Sequence, residues 1–186
     1  MQFRYEDAEI LLKQFVKNER MLSHCYASEA VMSDLAHRLG QDEQKWRIAG
    51  LLHDIDIEIV GGDLERHGLE AQRILRDNAV DEDVIDAIVM HNEKVAGLPR
   101  STVFQHALAA AETITGLIVA TTLVYPDKKL AGVKRKSVVK RMKEKAFAAS
   151  VNRENIMECE KLGLSIEEFA ELSIKAMLKI ADRIGL

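Results

Sequence analysis

The chain has 186 residues, of which 47% are apolar and 30% are charged, and its formal net charge at pH 7 is −4. This length predicts one domain, spanning residues 1–186, that buries most of its apolar surface. The acidic balance argues against a general nucleic-acid-binding protein. Because the chain has only 2 prolines and 10 glycines and is rich in Ala, Leu, Ile, Glu and Lys, we expect an all-α fold.

The first third of the chain predicts three helices. Residues 6–17 carry a broad apolar face, and residues 20–39 form a second amphipathic helix that Gly40 ends as a C-cap. Asp42 can cap a third helix, whose apolar run leads directly to His53.

The middle of the chain predicts three further helices, separated by clear breaks. After the Gly61-Gly62 pair, residues 64–77 read as a helix, and residues 81–91 form the next one. Ser101 can cap a long apolar helix that ends near Tyr125. We expect this helix, the most apolar in the chain, to be a core helix and not a membrane span, because it contains a glutamate and several threonines.

The last third is helical and begins with a basic stretch. Residues 127–145 hold nine Lys or Arg against two acids. A shorter helix is predicted over residues 150–163, and Ser165 with Glu168 makes a capping box for a terminal helix over residues 166–184.

Cysteine use and the N-terminus indicate a reducing compartment. Cys25 and Cys159 are far apart and have no CxxC partner, so neither a disulfide framework nor a cysteine zinc site is expected. Charged residues precede any long apolar run, which is not the pattern of a signal peptide. We therefore expect a cytoplasmic protein that does not enter a membrane.

His53 and Asp54 stand side by side at the end of an apolar run. Neither residue type is normally buried without a partner. An imidazole nitrogen and a carboxylate oxygen that converge on one point form half of a metal site. The alternative is a hydrogen-bonded His–Asp pair at a helix end.

The other histidines divide into two sets. His24, His67 and His91 fall on apolar faces or near helix ends, where each needs a partner. We expect the His37 side chain to be solvated. His106 has no obvious partner in the sequence, and we expect it to be structural.

Glu112 lies in the middle of the long apolar helix. An ionised carboxylate there would carry a large desolvation cost unless it pairs with a cation or binds a metal ion. The alternative is that this edge of the helix faces water.

An early helical His, an adjacent His-Asp pair about thirty residues later and a late helical acid resemble the HD superfamily of metal-dependent phosphohydrolases. Dinuclear members place two more histidines between the pair and the last acid. The matching residues in this chain are His24, His53, Asp54, His67, His91 and Glu112. The resemblance implies an HD-domain helical bundle over residues 18–125, with residues 126–186 as a helical extension packed on it that resembles a bacterial branch of the superfamily.

The resemblance also implies the chemistry of the site. The matching residues would hold one or two divalent transition-metal ions, with Asp54 bridging, and the donor set suits Mn, Fe, Co, Ni or Zn. If the helix continues past the pair, Asp56 and Glu58 could position the attacking water or carry a proton. The alternative for both is an exposed acid before a glycine loop. This chain departs from the usual pattern of the HD superfamily in two ways. Glu112 stands where the last ligand is usually Asp, and no Lys follows the His-Asp pair.

Substrate phosphates need cations. Lys94 follows His91 by three residues, and Lys136, Lys140 or Arg141 of the basic stretch could fold over the site. The alternative is that these side chains are simply solvated.

The sequence thus predicts a metal-dependent phosphohydrolase acting on a small phosphorylated molecule, with a nucleotide or dinucleotide as the first candidate. Two alternatives stay open. One is a di-iron oxygenase of the HD type, and the other is a non-catalytic HD protein that binds a nucleotide and regulates a partner.

Overall fold

A computed structural model describes residues 3–186 of the chain. Within this range the chain forms eleven α-helices and no β-strand, which confirms the all-α prediction. In chain order the helices are α1 (Tyr5–Phe15), α2 (Glu19–Leu39), α3 (Glu43–Leu52), α4 (Leu69–Asp77), α5 (Glu82–His91), α6 (Glu93–Ala96), α7 (Val103–Leu123), α8 (Arg135–Met142), α9 (Arg153–Met157), α10 (Ile166–Leu178) and α11 (Ala181–Ile184).

Three predicted helix boundaries are confirmed because their signals are local. Gly40 ends α2 in the left-handed region, with φ of 65°. The Asp42 side chain accepts a hydrogen bond from the Lys45 backbone N–H at 3.1 Å and so caps α3. Ser165 and Glu168 form the expected capping box at the start of α10.

Other boundaries differ from the prediction. Thr102, and not Ser101, caps α7, because the Thr102 hydroxyl accepts a hydrogen bond from the Gln105 backbone N–H. The Gln105 side chain accepts in turn from the backbone N–H groups of Ser101 and Thr102. The predicted helix over 150–163 is α9 followed by a 3₁₀ helix, Glu158–Leu162. The predicted terminal helix is interrupted after α10, and α11 is a separate short helix.

α7 runs through the centre of the described fold and packs against α2, α3, α5, α8, α9 and α10. Its length and composition would allow it to cross a membrane, but 61% of its most apolar window is buried against protein, as in a core helix. α10 packs on α2 and α8, so residues of the C-terminal extension share one apolar core with α1–α5 and α7.

α2 and α3 form the closest helix pair, and Gly50 on α3 lies at their contact. A Cβ atom at Gly50 would lie 2.8 Å from the Ser28 carbonyl oxygen and 2.9 Å from the Glu29 backbone nitrogen. The absent side chain therefore allows two backbones to approach each other. This approach sets the distance between α2 and the residues at the end of α3.

Candidate metal centre

Five segments bring six potential ligands to one place. His24 lies on α2, His53 follows the last residue of α3, and Asp54 comes next in a turn. His67 lies just before α4, His91 ends α5 and Glu112 lies on α7. The potential ligand atoms fall into two groups, each spanning no more than 4.8 Å: His24, His53 and Glu112 in the first, and Asp54, His67 and His91 in the second. The expectation that α3 carries the His-Asp pair into the interior is confirmed, since both residues are buried.

In the first group, both imidazoles use Nδ1 to donate a hydrogen bond. His53 Nδ1 lies 2.9 Å from the Gly50 carbonyl oxygen, which can only accept. His24 Nδ1 lies 3.1 Å from the Thr115 hydroxyl, which donates its own proton to the Glu112 carbonyl at 2.7 Å and so accepts from the ring. Nε2 of each ring therefore carries the free lone pair, and the two Nε2 atoms face each other at 3.0 Å.

The second group repeats this arrangement. His67 Nδ1 lies 2.7 Å from the Asp56 carboxylate, and His91 Nδ1 is bonded to the Ile88 carbonyl oxygen. Their Nε2 atoms face each other at 2.9 Å. Two lone pairs at this distance repel each other unless a cation, either a proton or a metal ion, lies between them.

Asp54 joins the two groups. Its Oδ2 lies 3.6 Å from His24 Nε2 and 3.5 Å from His53 Nε2. Its Oδ1 lies 3.2 Å from His67 Nε2 and 3.6 Å from His91 Nε2. One carboxylate thus presents a different oxygen to each imidazole pair, which is the arrangement that a bridging ligand requires.

The electrostatics of the free protein favour a cation at this position. Burial opposes the charge on Asp54, but the surrounding imidazoles outweigh it and hold its pKa well below the ordinary value. Burial lowers the pKa of His53 to about 3, so that ring is neutral and able to bind a metal ion. Burial also raises the pKa of Glu112. A nearby metal ion would act in the opposite direction and favour the charged form of Glu112.

Asp56 contacts the centre through the His67 ring, and its role in positioning water or carrying a proton stays a prediction. The fully buried carboxylate accepts from His67 Nδ1 and also from the backbone N–H groups of Gly68 and Ala71, at 2.8 and 2.9 Å. It orients the His67 ring and caps the start of α4. This cap explains why α4 begins at Leu69, with turns before it, and not at residue 64 as predicted.

Glu58 contacts the backbone just before α2, and its catalytic role likewise stays a prediction. Its carboxylate accepts from the backbone N–H groups of Lys17 and Asn18, at 2.9 and 2.8 Å, immediately before α2. The segment after the His-Asp pair folds as turns, so the helix does not continue past the pair.

Glu58→Ala should therefore destabilise the fold without impairing the centre. We expect a loss of about 1 kcal/mol in the free energy of unfolding, typical of the net contribution of a hydrogen bond, measured by denaturant titration. Metal content should equal that of the wild type. A loss of bound metal in the folded variant would contradict this placement.

The four predicted phosphate-binding cations show no common site. Lys94 and Lys136 are exposed on α6 and α8. Lys140 lies 3.7 Å from the Glu144 carboxylate, and Arg141 is paired with the same carboxylate and lies over the Phe147 ring at 4.2 Å. Their role in binding substrate stays a prediction, and Arg141 would first have to leave its present partners.

Three supporting residues were not found from the sequence. Besides Thr115, the Asn92 amide donates to the His67 carbonyl oxygen at 2.8 Å, and Arg100 donates to the His91 carbonyl oxygen at 2.8 Å. Of these three residues, only Asn92 could have been predicted from the sequence, because it follows His91 at a helix end. Arg100 also forms an ion pair with Glu158. The Glu158 carboxylate lies 2.8 Å from His106 Nδ1, so His106 has a partner in the C-terminal extension.

These observations define an all-α protein in which four imidazoles and two carboxylates lie together and could hold a metal ion. A family model described as HD domain matches residues 21–122, more than half of the chain, and the chain therefore belongs to the HD-domain family. Membership implies metal-dependent phosphohydrolase-type activity in general, and HD domains bind divalent metal ions. No curated protein matches the chain.

Metal binding should release protons, because of His67. Burial lowers its pKa, but hydrogen bonds to Asp54 and Asp56 outweigh burial and raise the pKa to about 10. At pH 8 the metal-free protein therefore holds a proton on this ring, and a metal ligand must be neutral, so binding should release about one proton from it. Calorimetry in two buffers of different ionisation enthalpy measures this number.

The Asp56→Asn variant is the control for this measurement. Asn removes one of the two carboxylates that raise the pKa of His67, so fewer protons should be released at the same pH. Identical binding enthalpies in both buffers for the wild-type protein would contradict the prediction.

Proposed function

We propose that the protein is a metal-dependent phosphohydrolase that acts on a small phosphorylated molecule. The observation that supports this most strongly is the pair of facing imidazole contacts joined by one carboxylate, Asp54. His24, His53 and Glu112 would hold one divalent ion, and His67 and His91 a second. When bound, such ions lower the pKa of water and neutralise charge on a phosphoryl group.

The chain's own residues prepare this centre. The four Nδ1 hydrogen bonds select the tautomer in which every Nε2 can bind a metal ion. Asp56 and Thr115 hold two of the rings through side chains, and backbone carbonyls hold the other two. The two ligand groups contain no described residue other than the candidate ligands themselves, so we assign no further residue of these groups to proton transfer.

The test is a metal-loading and turnover series. The purified protein is stripped with a chelator, loaded separately with Mn, Fe, Co, Ni or Zn, and assayed for phosphate release from phosphomonoesters, phosphodiesters, nucleotides and dinucleotides. We expect turnover with at least one ion and its loss on chelation. No turnover with any ion would overturn the proposal.

The same preparations separate the alternatives left open by the sequence. Oxygen uptake by the iron-loaded protein, without phosphate release, would indicate an oxygenase. Tight nucleotide binding without turnover would indicate a regulatory protein.

A further inference from the structure

A cleft of about 920 Å³ opens beside the metal centre, between α2, α7 and residues 182–186. Its volume lies within the range of small-molecule sites, roughly 300–1,000 Å³. His24 forms part of its wall. The His24 side chain is 24% exposed, whereas those of the other three ligand histidines are at most 7% exposed. Among the ligand histidines, His24 is therefore the one with a substantially exposed side chain, and it lies in the wall of this cleft.

The wall of the cleft is mainly apolar. It is formed largely by Leu22, Gly116, Val119, Ala120, Leu123 and Ile184. Leu123 is 51% exposed although it is large and apolar. An apolar surface that continues up to a candidate metal ligand is suited to an uncharged organic group.

The charges of the cleft do not favour a polyphosphate. Arg20 and Arg183 are balanced by Glu19 and Asp182. Arg183 donates to Glu9 at 2.7 Å and lies over the Tyr26 ring, so it is already engaged. A chain of phosphates normally requires several free cations.

The cations expected to bind phosphate are not in this cleft. None of Lys94, Lys136, Lys140 and Arg141 is among its wall residues. The guanidinium of Arg20 forms no side-chain hydrogen bond or ion pair with any residue between 3 and 186. Arg20 is thus the one wall cation in that range whose guanidinium is available to a single anionic group.

We propose that this cleft binds an apolar organic group of the substrate, so that the substrate is an alkyl or aryl phosphoester and not a nucleotide. The proposal rests on the phosphohydrolase function of the centre, which would take the phosphoryl group beside His24. The ester group then lies along α7, against Val119, Ala120 and Leu123. Each methylene that the cleft buries strengthens binding about fourfold.

The test uses two non-hydrolysable probes, hexylphosphonate and methylphosphonate, titrated into the metal-loaded protein by calorimetry. We expect hexylphosphonate to bind at least about 30-fold more tightly than methylphosphonate. Ala120→Trp fills the cleft and Leu123→Asp places a charge in its wall. Each should reduce this ratio to less than about fivefold and leave the affinity for methylphosphonate unchanged.

The matched control is Val103→Asp, which changes an apolar side chain of α7 that is 46% exposed and outside the cleft. It should keep the wild-type ratio. Two variants are used because either one could fail to fold, which circular dichroism detects. Equal binding of both probes by the wild type, or a full ratio in a folded cleft variant, overturns the proposal.

Turnover separates the failure of this proposal from failure of the proposed function. If hexylphosphonate binds as expected but no phosphoester is hydrolysed, the cleft is supported and the phosphohydrolase function fails. If a nucleotide is hydrolysed while the two phosphonates bind equally, the phosphohydrolase function is supported and the apolar-ester proposal fails.

Discussion

Asp54→Asn is expected to remove both metal binding and turnover. Asp54 presents Oδ2 to one imidazole pair and Oδ1 to the other, and no other carboxylate between residues 3 and 186 pairs with both groups. The amide has nearly the same shape, but it replaces one oxygen with an N–H donor and removes the negative charge. We expect metal affinity to fall by at least about 100-fold, because loss of an outer partner alone typically costs 10–100-fold. Turnover should fall by roughly 1,000-fold.

The control for this change is Asp77→Asn, at an acid on α4 whose side chain is 66% exposed. It should retain the wild-type metal content and turnover. Metal is measured by elemental analysis after desalting, and circular dichroism establishes that both variants are folded. If Asp54→Asn keeps its metal, Asp54 does not bridge the two groups.

Gly50→Ala is expected to have the largest effect on stability. The new Cβ would lie 2.8–2.9 Å from three backbone atoms of Ser28 and Glu29, and none of these can move aside as a flexible side chain can. Overpacking of this kind typically costs 1–3 kcal/mol, and a backbone clash belongs at the upper end, about 3 kcal/mol. For a chain of this size we expect the melting temperature to fall by roughly 6–12 °C.

Gly116→Ala provides the matched control, since Gly116 is also a helical glycine. The nearest atom to its added Cβ would be Val151 Cγ2, at 3.6 Å, an ordinary contact. Because alanine favours a helix over glycine by about 1 kcal/mol, this variant should be as stable as the wild type or more stable. Equal melting temperatures for Gly50→Ala and the wild type would show that α2 and α3 do not need this close approach.

The Gly50 change should also reach the metal centre. The Gly50 carbonyl accepts from His53 Nδ1, and α2 carries His24, so a shift between the two helices would separate the facing Nε2 atoms. We expect less bound metal in whatever fraction of Gly50→Ala remains folded, measured on the monodisperse fraction.

The sequence predicted the elements whose signals lie within a few residues. Gly40 and Asp42 mark helix ends through their own backbone conformation or side chain, so no distant contact is needed to interpret them. Apolar periodicity identified the helices in the same way. The order of the six potential ligands came from resemblance to a family, and the match to the HD domain supports that family.

The sequence by itself determined the all-α class and most helix positions, and its resemblance to the HD superfamily predicted the candidate metal ligands. Only the tertiary structure decided what the neighbouring acids do. Asp56 and Glu58 have the same charge and lie within four residues of Asp54, yet one contacts His67 and the other accepts hydrogen bonds from the backbone just before α2. The physical reason is that a carboxylate's role depends on which N–H groups the folded chain brings within about 3 Å, and those donors come from segments distant in sequence.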